Sequence, residues 1–69
     1  MTEVLDLRGL PPPEPLVRAL EAAEKLPAGG EVVVLTERRP AHLLPILHER
    51  GLTVSARELP DGHETRIRR

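Results

Sequence analysis

The sequence predicts a two-layer α/β (α+β) sandwich: two helices on one face of a mixed four-stranded sheet, in the order β-α-β-α-β-β. Three patterns predict it. Leu16, Leu20, Ala23 and Leu26 recur at helical spacing. Val32, Val33, Val34 and Leu35 run on without a polar break, as in a strand flanked by neighbours. Residues 52–59 and 63–68 alternate apolar and polar positions around Pro60-Asp61-Gly62, which is hairpin chemistry. Crossovers through a helix are right-handed, which sends both helices to the same side of the sheet.

The first strand covers residues 3–7, where Val4, Leu5 and Leu7 precede the Arg8-Gly9 break. The stretch GLPPPEP then forms the first strand-to-helix corner. Pro13 and Pro15 suit a helix start, because first-turn N–H groups have no acceptor inside the helix, and Glu14 sits where the helix dipole favours an anion. Arg18, Glu21, Glu24 and Lys25 take the wet side of this helix, and residues 27–30 end it. Residues 31–36 form the second strand, placed at the centre of the sheet. A second helix is expected over residues 40–50, with Leu43, Leu44, Ile46 and Leu47 as its apolar content and Gly51 as its cap. Pro45 would cost about 3 kcal/mol in a helix interior, so the regular part is expected to begin near Leu44. In the third strand Leu52, Val54 and Ala56 point one way and Thr53, Ser55 and Arg57 the other. The last strand alternates through Thr65 and Ile67, with Arg66 and Arg68 on its outer side beside Glu64. These arginines, with Arg69, read as edge or surface charges that discourage unwanted strand pairing.

Composition removes whole classes of function. At 69 residues the chain is expected to be one domain, residues 1–69, and a domain near this size buries about 60% of its unfolded surface, so the core is thin. Cysteine is absent, which excludes disulfides, thiolate nucleophiles, persulfide carriage and cysteine-based zinc sites. Phe, Tyr and Trp are absent too, so bases cannot stack on aromatic rings. Ten basic and eleven acidic side chains leave a net charge of −1, with no general attraction for nucleic acid or anionic lipid. No apolar run approaches the roughly 18 residues of a membrane span, and MTEVLDLRG lacks the features of a signal peptide, so a cytoplasmic location is expected. Eight Pro and no Asn or Gln suit a thermophile, and the arginine bias suits a GC-rich genome equally well.

The residues LDLRGLPPPEP, an amphipathic helix and then GGEVVVLTERRP together resemble the TusA/SirA-like sulfur-carrier family. In that family the corner reads leucine, aspartate, two variable residues, glycine, leucine, one further residue, then cysteine-proline-glutamate-proline. Leu5, Asp6, Gly9, Leu10, Pro13, Glu14 and Pro15 match this pattern, and Pro12 stands at the cysteine position. The resemblance extends to residues 27–31 before the second strand and to Arg39-Pro40 before the second helix. Closer still is a cysteine-lacking, uncharacterised relative of that fold, domain of unknown function 2249, some members of which sit beside or inside hemerythrin-like proteins. Several of those members carry histidines after the first strand and in an aspartate-histidine-aspartate-proline stretch before the second helix. This chain has Arg8 and Glu37-Arg38-Arg39-Pro40 there, so no metal role carries over.

The resemblance also gives the prolines a meaning. In the carriers the cysteine precedes a helix N-terminus, where the positive end of the dipole lowers a thiol pKa. Pro12 offers no nucleophile. A stiff corner remains, which fixes the helix entry angle and reduces the entropy of the unfolded chain.

In open α/β sheets, strand C-terminal ends and helix N-termini meet at one edge, where ligands often bind. That edge is expected to gather Arg8, Pro12, Glu14, Glu37, Arg38, Arg39 and His42 as candidate ligand or partner contacts, with His63 from the hairpin as a further candidate. The competing reading is that these are solvated loop charges. His42, His48 and His63 are too scattered for a zinc spacing, so no metal and no cofactor is assigned. His42 with Glu37 could form an acid-base pair only in a pocket that shifts their pKa values, and no catalytic residue is assigned. The C-terminal domain of bacterial translation initiation factor three shares this general topology, but the acidic balance and missing aromatics argue against RNA.

The function expected from these observations is a non-enzymatic interaction or accessory module that contacts a protein partner through the motif edge or the open sheet face. A homodimer is a second option, because a thin core leaves the helix-free sheet face little to cover it. The alternative is a small anion or metal binder, or an enzyme accessory, in sulfur, nitrogen-oxide or redox metabolism, working through Arg8, Arg38, Arg39 and His42.

Overall fold

β1 (Glu3–Asp6), α1 (Glu14–Glu24), β2 (Glu31–Thr36), α2 (Leu43–Glu49), β3 (Thr53–Leu59) and β4 (Gly62–Arg68) follow one another in a computed structural model that describes residues 2–69. The strands form one sheet in the order β1-β2-β4-β3. β1 runs parallel to β2, with Val4 beside Val33, and β4 is antiparallel to both β2 and β3. This is the mixed four-stranded sheet with two helices that the sequence predicts. One detail differs: β4 is not an edge. It lies between β2 and β3, because the C-terminal hairpin folds inward against β2.

Helix boundaries follow local chemistry. α1 starts at Glu14, with Pro13 at its cap position and Pro15 in its first turn, where a missing N–H costs nothing. α2 spans seven residues, Leu43–Glu49, starting within a residue of the regular part expected from near Leu44. Pro45 is its third residue, so the proline falls where no intrahelical bond is lost. Before it, the amides of Leu43 and Leu44 both donate to the carbonyl of Pro40, at 3.0 and 3.3 Å, in a separate lead-in turn.

The core lies between helices and sheet: Leu7, Ala19, Ala23, Val32, Val34, Leu43, Leu47, Leu52 and Ile67 are buried together. Leu16, Leu20 and Leu26, read from sequence as the apolar stripe of α1, pack around its margin while Ala19 and Ala23 are buried inside it. Small side chains at i and i+4 let the helix sit close, which suits a core with no aromatic filler. On the helix-facing side of β3, Leu52 is buried, Val54 half-buried and Ala56 exposed, since α2 does not reach over the end of this outer strand.

The opposite face of the sheet carries charge. Arg66 reaches Glu31 at 2.7 Å and Glu64 at 3.8 Å, Arg68 reaches Glu31 at 3.1 Å, and Arg57 reaches Glu64 at 3.3 Å. The arginine stems cover the sheet while their heads stay wet, and beneath them Val33 is buried. The face expected to be bare is therefore overlaid by an arginine-glutamate lattice. Arg69 closes the domain at the other end: its backbone bonds Gly29 and Gly30, and its guanidinium donates to the Ala23 carbonyl at 2.9 Å, at the negative end of α1.

Candidate functional site

The edge holding the β1–α1 corner, the β2–α2 loop and the β3–β4 turn is organised around Arg8. Its Nε and Nη2 donate to Asp6 Oδ1 and Oδ2 at 2.9 and 2.8 Å, a two-pronged contact, while Nη1 donates to Asp61 Oδ2 at 2.7 Å. The Arg8 amide also donates to Asp6 Oδ1, at 3.1 Å. The Arg8 side-chain hydrogen bonds, followed by that backbone bond, pull the Asp6 carboxyl down to about 2. The same side-chain bonds to Asp6 hold the Arg8 guanidinium above its ordinary value. A cation held by two carboxylates has little left for an external anion.

The neighbouring candidates are drawn into structure in the same way. Glu37 reaches across from the β2–α2 loop and accepts the Gly9 amide at 2.8 Å, so the two loops are joined. Glu14 turns along α1 to Arg18, one helical turn on, at 3.1 Å. Pro11, Pro12 and Pro13 are all exposed, and the Pro12–Pro13 peptide bond is cis. The α1 terminus offers an anion few donors: Glu14 N–H bonds the Pro11 carbonyl, Pro15 has no N–H, and Val17 N–H bonds the Pro13 carbonyl. Arg38 lends only its carbonyl, which accepts the Thr36 hydroxyl at 2.7 Å. Among the described residues, the side chains of Arg38, Arg39 and His42 make no ion pair, and all three are exposed. His63 pairs in register with Thr36 and with Glu58 inside the sheet.

The sequence reading placed Arg8 and Glu37 on one edge, and the structure links both to the β1–α1 corner. It did not find their partners. Asp6 was seen only as a motif residue and Asp61 only as turn chemistry, although an Asp-x-Arg spacing at a strand end puts both side chains on one face. Gly62 completes the turn: at φ 154° it lies in a region that favours glycine, and a Cβ there would run into the Thr36 carbonyl. Among the described residues no group of three His, Asp or Glu side chains could hold a metal ion, and no helix is long and apolar enough to cross a membrane.

The mixed four-stranded sheet with two helices, in the order β-α-β-α-β-β, is the SirA-like fold. A crystal structure of a SirA-like protein from Desulfitobacterium hafniense superposes on this chain with a TM-score of 0.79 at 29% identity, covering 99% of this chain and 96% of the other. The chain belongs to DUF2249, a family of uncharacterized conserved proteins whose model matches residues 4–69. Among curated proteins no sequence matches it.

Proposed function

We propose that this domain is a non-enzymatic interaction or accessory module whose proline corner and adjoining basic loop contact a protein partner. One observation supports the reading above others: the charged groups best placed for chemistry at this edge are occupied as braces. Arg8 holds Asp6 and Asp61, Glu37 holds Gly9, and Glu14 holds Arg18. Pro12 stands where the sulfur carriers have their cysteine, and it has no nucleophile to offer. What the edge presents outward is a rigid ridge of prolines with Arg38, Arg39 and His42 beside it. Such a surface fits a partner with an acidic patch, since stiff loops lose little entropy on docking. Affinity capture from source-cell extract with the wild-type chain and an Arg38→Glu/Arg39→Glu variant tests it. A protein retained by the first and lost by the second is expected; equal retention, or none, defeats the reading.

A second reading, small-anion binding in sulfur, nitrogen-oxide or redox metabolism, is favoured only by Arg38 and Arg39, which have no ion-pair partner among the described residues. Thermal melts with added sulfate, phosphate or nitrite decide it, because a ligand of the native state raises Tm by mass action. A rise that vanishes in the double variant supports this reading, and flat melts discard it.

A further inference from the structure

The two borders of the sheet differ. β1 is four residues long, so its free side is short. β3 presents seven residues in unbroken register, with no proline, no lysine and no bulge, which leaves a long template for a further strand. Arg69 exchanges backbone bonds with Gly29 and Gly30, so the odd-numbered residues of β4 bond towards β2 and the even-numbered ones towards β3. Carried through the pairs Arg57·Glu64 and Ser55·Arg66, this alternation turns the backbone groups of Val54, Ala56 and Glu58 outward, away from the sheet. A shallow hollow flanks this border on each face. The helix-side one is apolar and lined by Leu44, Pro45, His48, Val54 and Ala56. The other lies among Ser55, Ala56, Arg57, Glu64 and Arg66.

We infer that β3 is the seam of a homodimer, in which a second copy adds its own β3 antiparallel across a two-fold axis at Ala56 and joins two four-stranded sheets into one. The sequence of the border selects this register over its neighbours. An axis at Ala56 engages the outward backbone of Val54, Ala56 and Glu58 together, and it sets the small, exposed Ala56 against its own copy, where close approach is easiest. An axis at Arg57 would place two guanidinium groups directly opposite each other, which is unfavourable. An axis at Ser55 would leave Glu58 outside the overlap. With the axis at Ala56, Glu58 of the second copy lies opposite Val54 and therefore beside His48, which lines the same hollow. Symmetry makes this acid-imidazole match twice. Pro45 and Leu44 of both copies meet across the centre, covering apolar surface that a lone chain leaves wet. A second copy fits this border because the charges and the register complement themselves.

Sedimentation equilibrium of the whole chain over a concentration series tests this. The wild type is expected to approach twice the mass of the chain. Ala56→Pro is expected to stay monomeric with an unchanged far-UV circular dichroism spectrum, since that N–H faces outward and its loss breaks no internal bond. If that variant fails to fold, Glu58→Lys is the alternative: it should weaken association about tenfold or more, and adding His48→Glu should restore it. A wild type that remains monomeric at its solubility limit overturns the inference, even where β3 binds a strand of a different protein. So does a dimer that survives Ala56→Pro. The seam is separate from the proline corner, and Arg38→Glu/Arg39→Glu leaves it unchanged.

Discussion

Arg8 and Asp61 meet at 2.7 Å across 53 positions of sequence, tying the end of β1 to the turn of the β3–β4 hairpin. Because Asp6 grips the other side of the same guanidinium, Arg8 sets the position of two loops at once. Arg8→Met is expected to lower Tm and to speed amide exchange around residues 59–62 ahead of the rest of the sheet. Arg8→Lys should recover little, since an ammonium cannot span two carboxylates with the same fork. Equal exchange rates in wild type and Arg8→Met would refute the role of this contact.

The depressed Asp6 carboxyl sets a pH window. Its folded value, about 2, lies below the ordinary 3.8, so ionised Asp6 contributes stability that is fully present above 3.8 and is lost as pH falls towards 2. Acid titration of Tm should therefore show a component between those limits that Asp6→Asn removes. Added salt should shrink it, because both partners are partly exposed.

Thr65 is fully buried, and its hydroxyl has no partner among the described residues. Thr65→Val keeps the shape and the β-branch while removing an unanswered polar group. It is expected to stabilise the fold by about 1 kcal/mol. Chemical denaturation with an unchanged m-value would show it, and a loss of stability would reveal a hydrogen bond that the hydroxyl makes with solvent.

Gly62→Ala should destabilise by about 2 kcal/mol or more, because the new Cβ meets the Thr36 backbone, not a yielding side chain. Urea midpoints compare it with Gly29→Ala, where the space is open and only the backbone preference is offended.

Ala19→Leu tests the close seat of α1. Ala19 is fully buried in the core, and three added carbons must push the helix outward, at a cost of about 1–3 kcal/mol. A neutral result would mean that the helix-sheet gap is slack.

Much of the architecture could be read from the chain because each element carries its own local signal. The valine run of β2, the alternation in β3 and β4 and the prolines ahead of α1 each act over a few residues. The register of β4 between β2 and β3 carries no such signal, since a hairpin reads alike whichever of its strands turns inward. Ala19 escaped notice for a related reason: alanine looks neutral in a hydrophobic pattern, and only the packing of the assembled core makes it a contact residue. At the candidate edge, Arg8 and Glu37 were visible as charges, but whether a charge is free or already taken depends on a partner as remote as Asp61. Among the described residues Arg38 and Arg39 have no carboxylate partner, where Arg8 has two.

The strand order has a kinetic consequence. β3 and β2 never pair, so within the sheet β3 is joined to the βαβ half only through β4. The central slot stays vacant until residues 62–68 have emerged from the ribosome, and the pairing with β2 that fills one side of it is distant in sequence. Such topologies assemble late and all at once. A nascent chain stalled ahead of Gly62 should therefore be as protease-sensitive as a random coil, and release of the last strand should convert it in a single step.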